Sequence, residues 1–193
     1  ARGNFIMNFT HSVLTSLVEI QNFEQHWIDL HRDCENKSIY NSFNFIINSI
    51  SNFKDPTLKN HIIAIYLNHQ LIAIFPFHLY IERRYIFNFK ILEYSAQDEI
   101  DKPSPVIKQH HEEQAWAGLF EYLDNNRSSW DILILMEVNE FNNEILLTKK
   151  FSEISNYPHS IKNDKSGPII QLDKPWDIFW SSHKKMRKKI HKI

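Results

Sequence analysis

Apolar residues recur along this chain at two periods, and the switches between them mark out its elements. His11–Ile20 is apolar and β-branched and predicts a first strand. From Asn22 the period lengthens. Phe23, Trp27, Leu30 and Cys34 follow at steps of four, three and four, which is one stripe of a helix. Asn22 is placed to cap it, with Gln25 as capping-box partner. A second helix is predicted over Ser42–Phe53, with Phe43, Ile46, Ile47, Ile50 and Phe53 inward. Asp55-Pro56 ends it, because proline disfavours a helical residue before it.

A meander of three strands comes next. His61–Leu67 is continuously apolar, and Asn68-His69-Gln70 is a turn in which Asn68 can take positive φ. Leu71–Ile81 is the second strand, where Pro76 predicts a bulge or a locally unpaired edge. Glu82-Arg83-Arg84 is read as the next turn and Tyr85–Glu93 as an alternating third strand. An acidic loop, Tyr94–Val106, leads to an amphipathic helix over about His110–Leu123 that buries Trp116, Leu119, Phe120 and Leu123. Trp130–Val138 is nearly all apolar and predicts a central strand covered on both faces. A short helix from Asn142–Glu144 to about Phe151 follows, then strands at Ile154–Asn163 and Pro168–Leu172 around the turn Asp164–Gly167. Trp176–Ile193 is a last helix with a seam of Phe179, His183, Met186, Ile190 and Ile193. The expected class is α/β (α+β): a mixed, largely antiparallel sheet flanked by helices. The expected organisation is a tail over 1–9, a domain over 10–174 and a basic amphipathic linker helix over 175–193.

Composition narrows the function. The 193 residues are 42% hydrophobic and 13% aromatic, enough for a sizeable core. A net charge of −1 points to neither nucleic acid nor an acidic membrane as partner of the whole chain. The charge is uneven, with Glu93–Asp101 acidic and Lys184–Lys192 basic. A single cysteine, Cys34, excludes an intramolecular disulfide and fits a reducing compartment. No apolar run reaches bilayer length and the N-terminus lacks a signal-peptide pattern, so a cytoplasmic protein is expected. With 3 glycines, glycine-rich phosphate loops are nearly excluded.

Little else in the sequence marks chemistry. His110-His111-Glu112-Glu113 does not converge on a metal, since neighbours on a helix point apart. Its acids suit a first helical turn. His61, His69 and His78 lie on the meander without ligand spacing for zinc. Cys34 sits on an apolar stripe and reads as an inert buried thiol.

The succession of strand, two helices, three-strand meander, loop, helix, strand, helix, two strands and helix resembles the GNAT acyltransferase fold. Local pieces sharpen this: Leu71-Ile72-Ala73-Ile74-Phe75-Pro76-Phe77, the Leu92…Asp98…Asp101…Pro105 loop and Trp130-Asp131-Ile132-Leu133-Ile134-Leu135. Pro168-Ile169-Ile170-Gln171-Leu172, Trp176-Asp177 and Ser182…Lys184-Lys185…Arg187 complete the set. Together they resemble the N-terminal half of cellulose-biosynthesis-like acetyltransferases, double-GNAT proteins similar to Fem-type aminoacyl transferases.

The resemblance implies a second GNAT-like domain after the basic helix, which would bind acetyl-CoA or another acyl-CoA. It also implies an amine or hydroxyl acceptor on a sugar or cell-envelope precursor. A GNAT phosphate loop has the form Arg/Gln-x-x-Gly-x-Gly/Ala, and the matching place here, Glu93–Asp101, has no glycine and four carboxylates. This half is therefore expected to bind no cofactor. Tyr94, Asp98 and Asp101 are candidates for acceptor binding, and Glu137 and Glu140, at a strand end, for the base. Two readings stand: an acceptor-binding, bracing half of an acyltransferase, inactive alone, or a catalytically inactive GNAT-like interaction module. The helix seam predicts self-association, checked by size-exclusion with light scattering. A strict monomer at high concentration would refute it.

Overall fold

A computed structural model describes residues 8–52, 55–95, 104–136, 138, 143–162, 175, 178 and 181. Contacts divide the chain at Ser160, into Ala1–Ser160 and Ile161–Ile193. In the second unit, Ile178 N donates to Pro175 O at 3.0 Å and Ser181 Oγ to Ile178 O at 2.9 Å, one helical turn. The expected strand Pro168–Leu172, and all of the helix Trp176–Ile193 except Ile178 and Ser181, lie outside the described residues.

The first unit begins with β1, Phe9–Leu14, shorter than the predicted strand. Ser16 turns the chain into a helix, α1, Leu17–Asn22. Its hydroxyl accepts from Glu19 N at 3.2 Å, and Glu19 Oε2 accepts from Ser16 N and Thr15 N at 2.9 Å each. This capping box, Ser-x-x-Glu, satisfies amides that the helix leaves free. Those amides hold the Glu19 carboxyl down to about 2. The β-branched propensity of Val18 and Ile20 yields to the cap. Asn22 therefore ends α1 rather than capping a helix, and α2, Glu24–Arg32, starts after Phe23. The predicted stripe survives, with Trp27, Leu30 and Cys34 buried.

A short 3₁₀ turn, Ile39–Asn41, precedes α3, Phe43–Ser51. Asn41 is fully buried with its side chain satisfied. Its Oδ1 accepts from Ser38 N at 3.1 Å and lies 2.9 Å from His31 Nε2. Its Nδ2 donates to Asn36 O and Ser104 Oγ. Trp27 Nε1 donates to its carbonyl at 3.0 Å.

The meander forms as β2, Lys59–Leu67, β3, Gln70–Arg84, and β4, Phe87–Tyr94. Asn68 and His69 both take positive φ between β2 and β3. The second turn differs from expectation. Glu82, Arg83 and Arg84 stay in β3, paired with Phe89, Asn88 and Phe87, and the loop is Tyr85-Ile86. Charged residues are tolerated there because this end of the ladder is exposed. After the loop come β5, Val106–Ile107, α4, Glu112–Asn125, β6, Ile132–Ile134, and α5, Glu144–Ile154.

Among the described residues the strand order is β1-β2-β3-β4-β6, with β5 on β3, and only the β4–β6 pair is parallel. The sheet is mixed, largely antiparallel and flanked by helices on both faces. Trp27, Leu30, Phe43, Ile46 and Ile50 pack on one face against Ile62, Ile74 and Val106. Trp116, Leu119 and Leu123 pack on the other against Ile63, Phe75, Phe77 and Leu92. Two predicted strands change. β6 is short, half-buried and last in the described strand order, not central. Ile154 ends α5, and no strand forms over the described residues 155–162.

Gly118 lets α4 lie on β2. A Cβ there would stand 2.6 Å from Ile65 Cγ2 and 3.1 Å from Phe9 Cδ1. Alanine would gain about 1 kcal/mol of helix propensity and lose about 1–3 kcal/mol to overpacking. Gly118→Ala is expected to lower the urea unfolding midpoint, with the clash outweighing the propensity; a raised midpoint would mean that Ile65 and Phe9 yield freely.

Candidate functional site

The site lies where β4 leaves its neighbours. β4 and β6 pair through Ile91–Ile132, Leu92–Leu133 and Glu93–Ile134. On the other side, the β3–β4 ladder ends at Phe77–Tyr94. Ser95 N then donates to Pro76 O at 2.7 Å. An opposed antiparallel pair of this kind normally exchanges two bonds, but Pro76 has no N–H to return. Pairing along β3 resumes with β5, at Ile74–Val106 and Ala73–Ile107. Pro76 thus marks a locally unpaired edge. The register shift in the β2–β3 ladder falls elsewhere, at Ile65/Tyr66.

On the face that carries α1–α3, a polar row crosses the sheet beside this break. Asn60 opposes His78, and His78 opposes Glu93. Tyr80 and Ser95 lie on the same face by strand alternation. His78 is 1% and Glu93 2% exposed. Tyr80 Oη donates to Glu93 Oε2 at 2.8 Å, and the Tyr80 ring lies 5.5 Å from that of His78. Burial pushes the His78 imidazole down to about 4, so it is neutral at physiological pH. Asn60 Oδ1 and Ser95 Oγ are buried without a hydrogen bond. A carboxylate, a phenol and a neutral imidazole in one row can hold a polar group and accept its proton.

The opposite face carries a second buried pair. Tyr94 stacks on Phe77 at 5.0 Å and donates to Glu144 Oε1 at 2.5 Å. Glu144 opens α5 and is 6% exposed. Burial raises its carboxyl to about 7, against the lowering effect of the Tyr94 bond. Burial, and then the nearby Glu144 charge, raise the Tyr94 phenol well above its usual value.

These placements change the expected site. Tyr94 belongs to β4 rather than to the loop, and its ring is buried. Asp98, Asp101, Glu137 and Glu140 lie outside the described residues. Glu93, counted with the loop acids, is a strand residue turned into the sheet. Its signal was the two-residue alternation of β4, which puts a carboxylate in phase with Ile91. Nothing local marked His78 or Glu144, because strand pairing and the position of α5 bring them in. Among the described residues no group of acids, histidines and cysteine could hold a metal. Among them, too, no helix is long and apolar enough to cross a membrane.

The connection into α4 also differs from expectation. The chain reaches α4 not from Glu93–Asp101 but from β5 through Lys108-Gln109-His110-His111. This stretch has no glycine, and Glu112 and Glu113 fill the first helical turn. The outer edge of β5 is taken by the chain itself. Cys34 bridges Lys108, and Gln109 N donates to Asp33 O at 3.1 Å. A cleft of ≈ 420 Å³ lies alongside, lined by Arg32, Asp33, Cys34, Lys37, Lys108 and His110. Burial raises the Cys34 thiol, which keeps it protonated and unreactive.

No protein-family model matches the chain, and no curated protein matches it. Solved structures with similar backbones include a possible acetyltransferase from Clostridium difficile, at 14% identity over 84% of this chain and 99% of that one, TM-score 0.45. A ribosomal-protein-alanine N-acetyltransferase from Brucella melitensis gives 11% over 86% and 100%, TM-score 0.42. A GNAT family acetyltransferase from Staphylococcus aureus gives 14% over 86% and 100%, TM-score 0.40. All three scores lie below 0.5.

Glu144 and His78 give stability opposite dependences on pH. The Glu144 carboxyl, raised from 4.5 to about 7, contributes fully below pH 4.5, and this is lost as pH rises through 7. His78, lowered from 6.5 to about 4, contributes fully above pH 6.5, and this is lost as pH falls through 4. The two oppose each other between pH 4.5 and 6.5. Glu144→Gln keeps an acceptor for Tyr94 and removes the first effect. From pH 6 to 8 the unfolding free energy of the parent should fall relative to that of Glu144→Gln by about 1 kcal/mol, read from urea unfolding of both proteins. Parallel curves for the two proteins would refute the assignment to Glu144.

Proposed function

We propose that this chain is the acceptor-side half of a GNAT-type acyltransferase and that it does not itself hold the acyl-CoA. What chiefly supports this is the occupied state of the place where a phosphate-bearing cofactor would sit. The α4 N-terminus has no glycine before it and two acids on its first turn, and Asp33 and Cys34 pair with the neighbouring strand edge. A pyrophosphate there would meet like charge at the positive end of the helix dipole. Free amides for an incoming chain would have to be released from existing pairs.

The polar row of Asn60, His78, Tyr80 and Glu93 suits the other half of the reaction. An amine or hydroxyl of a sugar or cell-envelope precursor would lose its proton to a carboxylate, for which Glu93 is the described candidate. The freed nucleophile would attack the thioester carbonyl of an acyl-CoA carried by a second, C-terminal domain. A C–N or C–O bond forms, the C–S bond breaks, and the thiolate leaves to take up a proton. Glu137, Glu140, Asp98 and Asp101 remain candidates for the base and for acceptor binding. The other reading, an inactive interaction module, draws on the same closed strand edge, and the coding sequence after Ile193 separates the two. A second domain with a glycine-containing phosphate loop supports transfer.

Calorimetric titration of this chain with acetyl-CoA is expected to give no binding at micromolar concentrations; micromolar binding would overturn the proposal. In the two-domain protein, Glu93→Gln is expected to lower kcat/KM by about 10²–10⁴ with the acyl-CoA affinity unchanged, measured by initial rates and by the same titration.

A further inference from the structure

The β3–β4 hairpin ends in a loop whose residues do not suit a tight turn. The last pair is Arg84–Phe87, which leaves a two-residue loop, Tyr85-Ile86. Tyr85 has φ 57°, in the left-handed region. Two-residue hairpin loops with positive φ at their first position favour glycine there, and tyrosine is a poor choice on conformational grounds. Nor does packing account for it. Tyr85 is 97% exposed, Ile86 81%, Ile81 65% and Phe87 62%. Phe87 and Phe89 touch ring to ring at 6.4 Å along one face of the hairpin. Three large side chains, Tyr85, Ile86 and Phe87, therefore gather at the tip, two of them at loop positions that turn chemistry would make small and polar, and Ile81 stands three pairs back on β3.

Cations stand directly behind this tip. Arg83 and Arg84 are exposed on opposite faces of β3, and Arg84 pairs with Glu82 at 2.8 Å. The Lys90 ammonium is held by Ser128 O further back. Apolar anchors at the end of a rigid strand pair, with guanidinium groups one residue behind, match the layering of an acyl region under anionic headgroups. A second copy of this chain fits less well. A stable protein interface takes about 800 Å² from each partner, whereas a two-residue tip and its immediate neighbours offer a narrow wedge. Aromatic rings with a polar edge also settle at the boundary of lipid and water.

We propose that the Tyr85-Ile86-Phe87 tip is a membrane-contact element, which inserts shallowly into the surface of an anionic lipid bilayer while Arg83 and Arg84 meet the phosphates. This is independent of the acyl-transfer reading and would place the polar row within a hairpin's length of the membrane surface.

Co-sedimentation with phosphatidylcholine vesicles, with and without phosphatidylglycerol, tests it. The protein should pellet with the anionic vesicles, and added salt should weaken the binding. Tyr85→Gly with Ile86→Asn supplies residues the turn prefers, so the fold should be retained, as circular dichroism and the unfolding midpoint will report. Partitioning should fall at least about tenfold in this variant. In Arg83→Gln/Arg84→Gln it should fall about fivefold per charge at low salt. Failure of the parent protein to bind anionic vesicles would overturn the proposal. So would equal binding by the folded double variant, or a parent dimer in light scattering that the double variant abolishes, which would put a second copy on the tip.

Discussion

The missing N–H of Pro76 sets the layout of the whole site. Between its pairings with β4 and β5, β3 meets one residue, Pro76, that has no amide to offer. Pro76 accepts one bond from Ser95 and can return none. β4 therefore lets go of β3 at that point. The chain makes an excursion and comes back to the same edge as β5, two residues further along β3. The parallel contact of β4 with β6 reaches Glu93–Ile134, close to the same level. One proline thus produces a gap in the sheet with polar side chains on both of its faces.

Those side chains are stable there because each face is closed differently. On the α1–α3 face, Tyr80 donates to Glu93, and burial keeps the neighbouring imidazole uncharged. On the other face, the Glu144 carboxyl is raised toward neutrality and takes the Tyr94 proton donor at close range. Burying a charged carboxylate alone would be far more costly than either arrangement. The return of the excursion is tied down as well. Ser104 bonds to Asn41, whose side chain also organises the connection from α2 to α3. The edge that receives β5 is thereby linked to the helices beneath the polar row.

The same linkage bears on the N-terminus of α4. A helix N-terminus binds anions when its first amides are free and its surroundings are not acidic. α4 offers Glu112 and Glu113 in its first turn, and Lys108 and Gln109 before it pair with Cys34 and Asp33. The cleft beside it carries Arg32, Lys37 and Lys108 together with Asp33.

The sequence by itself determined the elements whose periodicity is strong. The stripe of Trp27, Leu30 and Cys34, the α3 face of Phe43, Ile46 and Ile50, the meander and the buried face of α4 were all legible. In each, burial of a repeating apolar face outweighs local alternatives. Local hydrogen bonds decided where such patterns were ambiguous. The Ser16–Glu19 box turned a β-branched run into a helix, a signal present in the sequence but weaker than its apolar pattern. Pairing decided the rest. Ladder register carried Glu82–Arg84 into β3, placed Glu93 beside His78 and Tyr80, and set β5 between the acidic loop and α4. Such contacts join residues far apart in the chain. No local spacing records them, so only the tertiary structure could show which polar residues share a site.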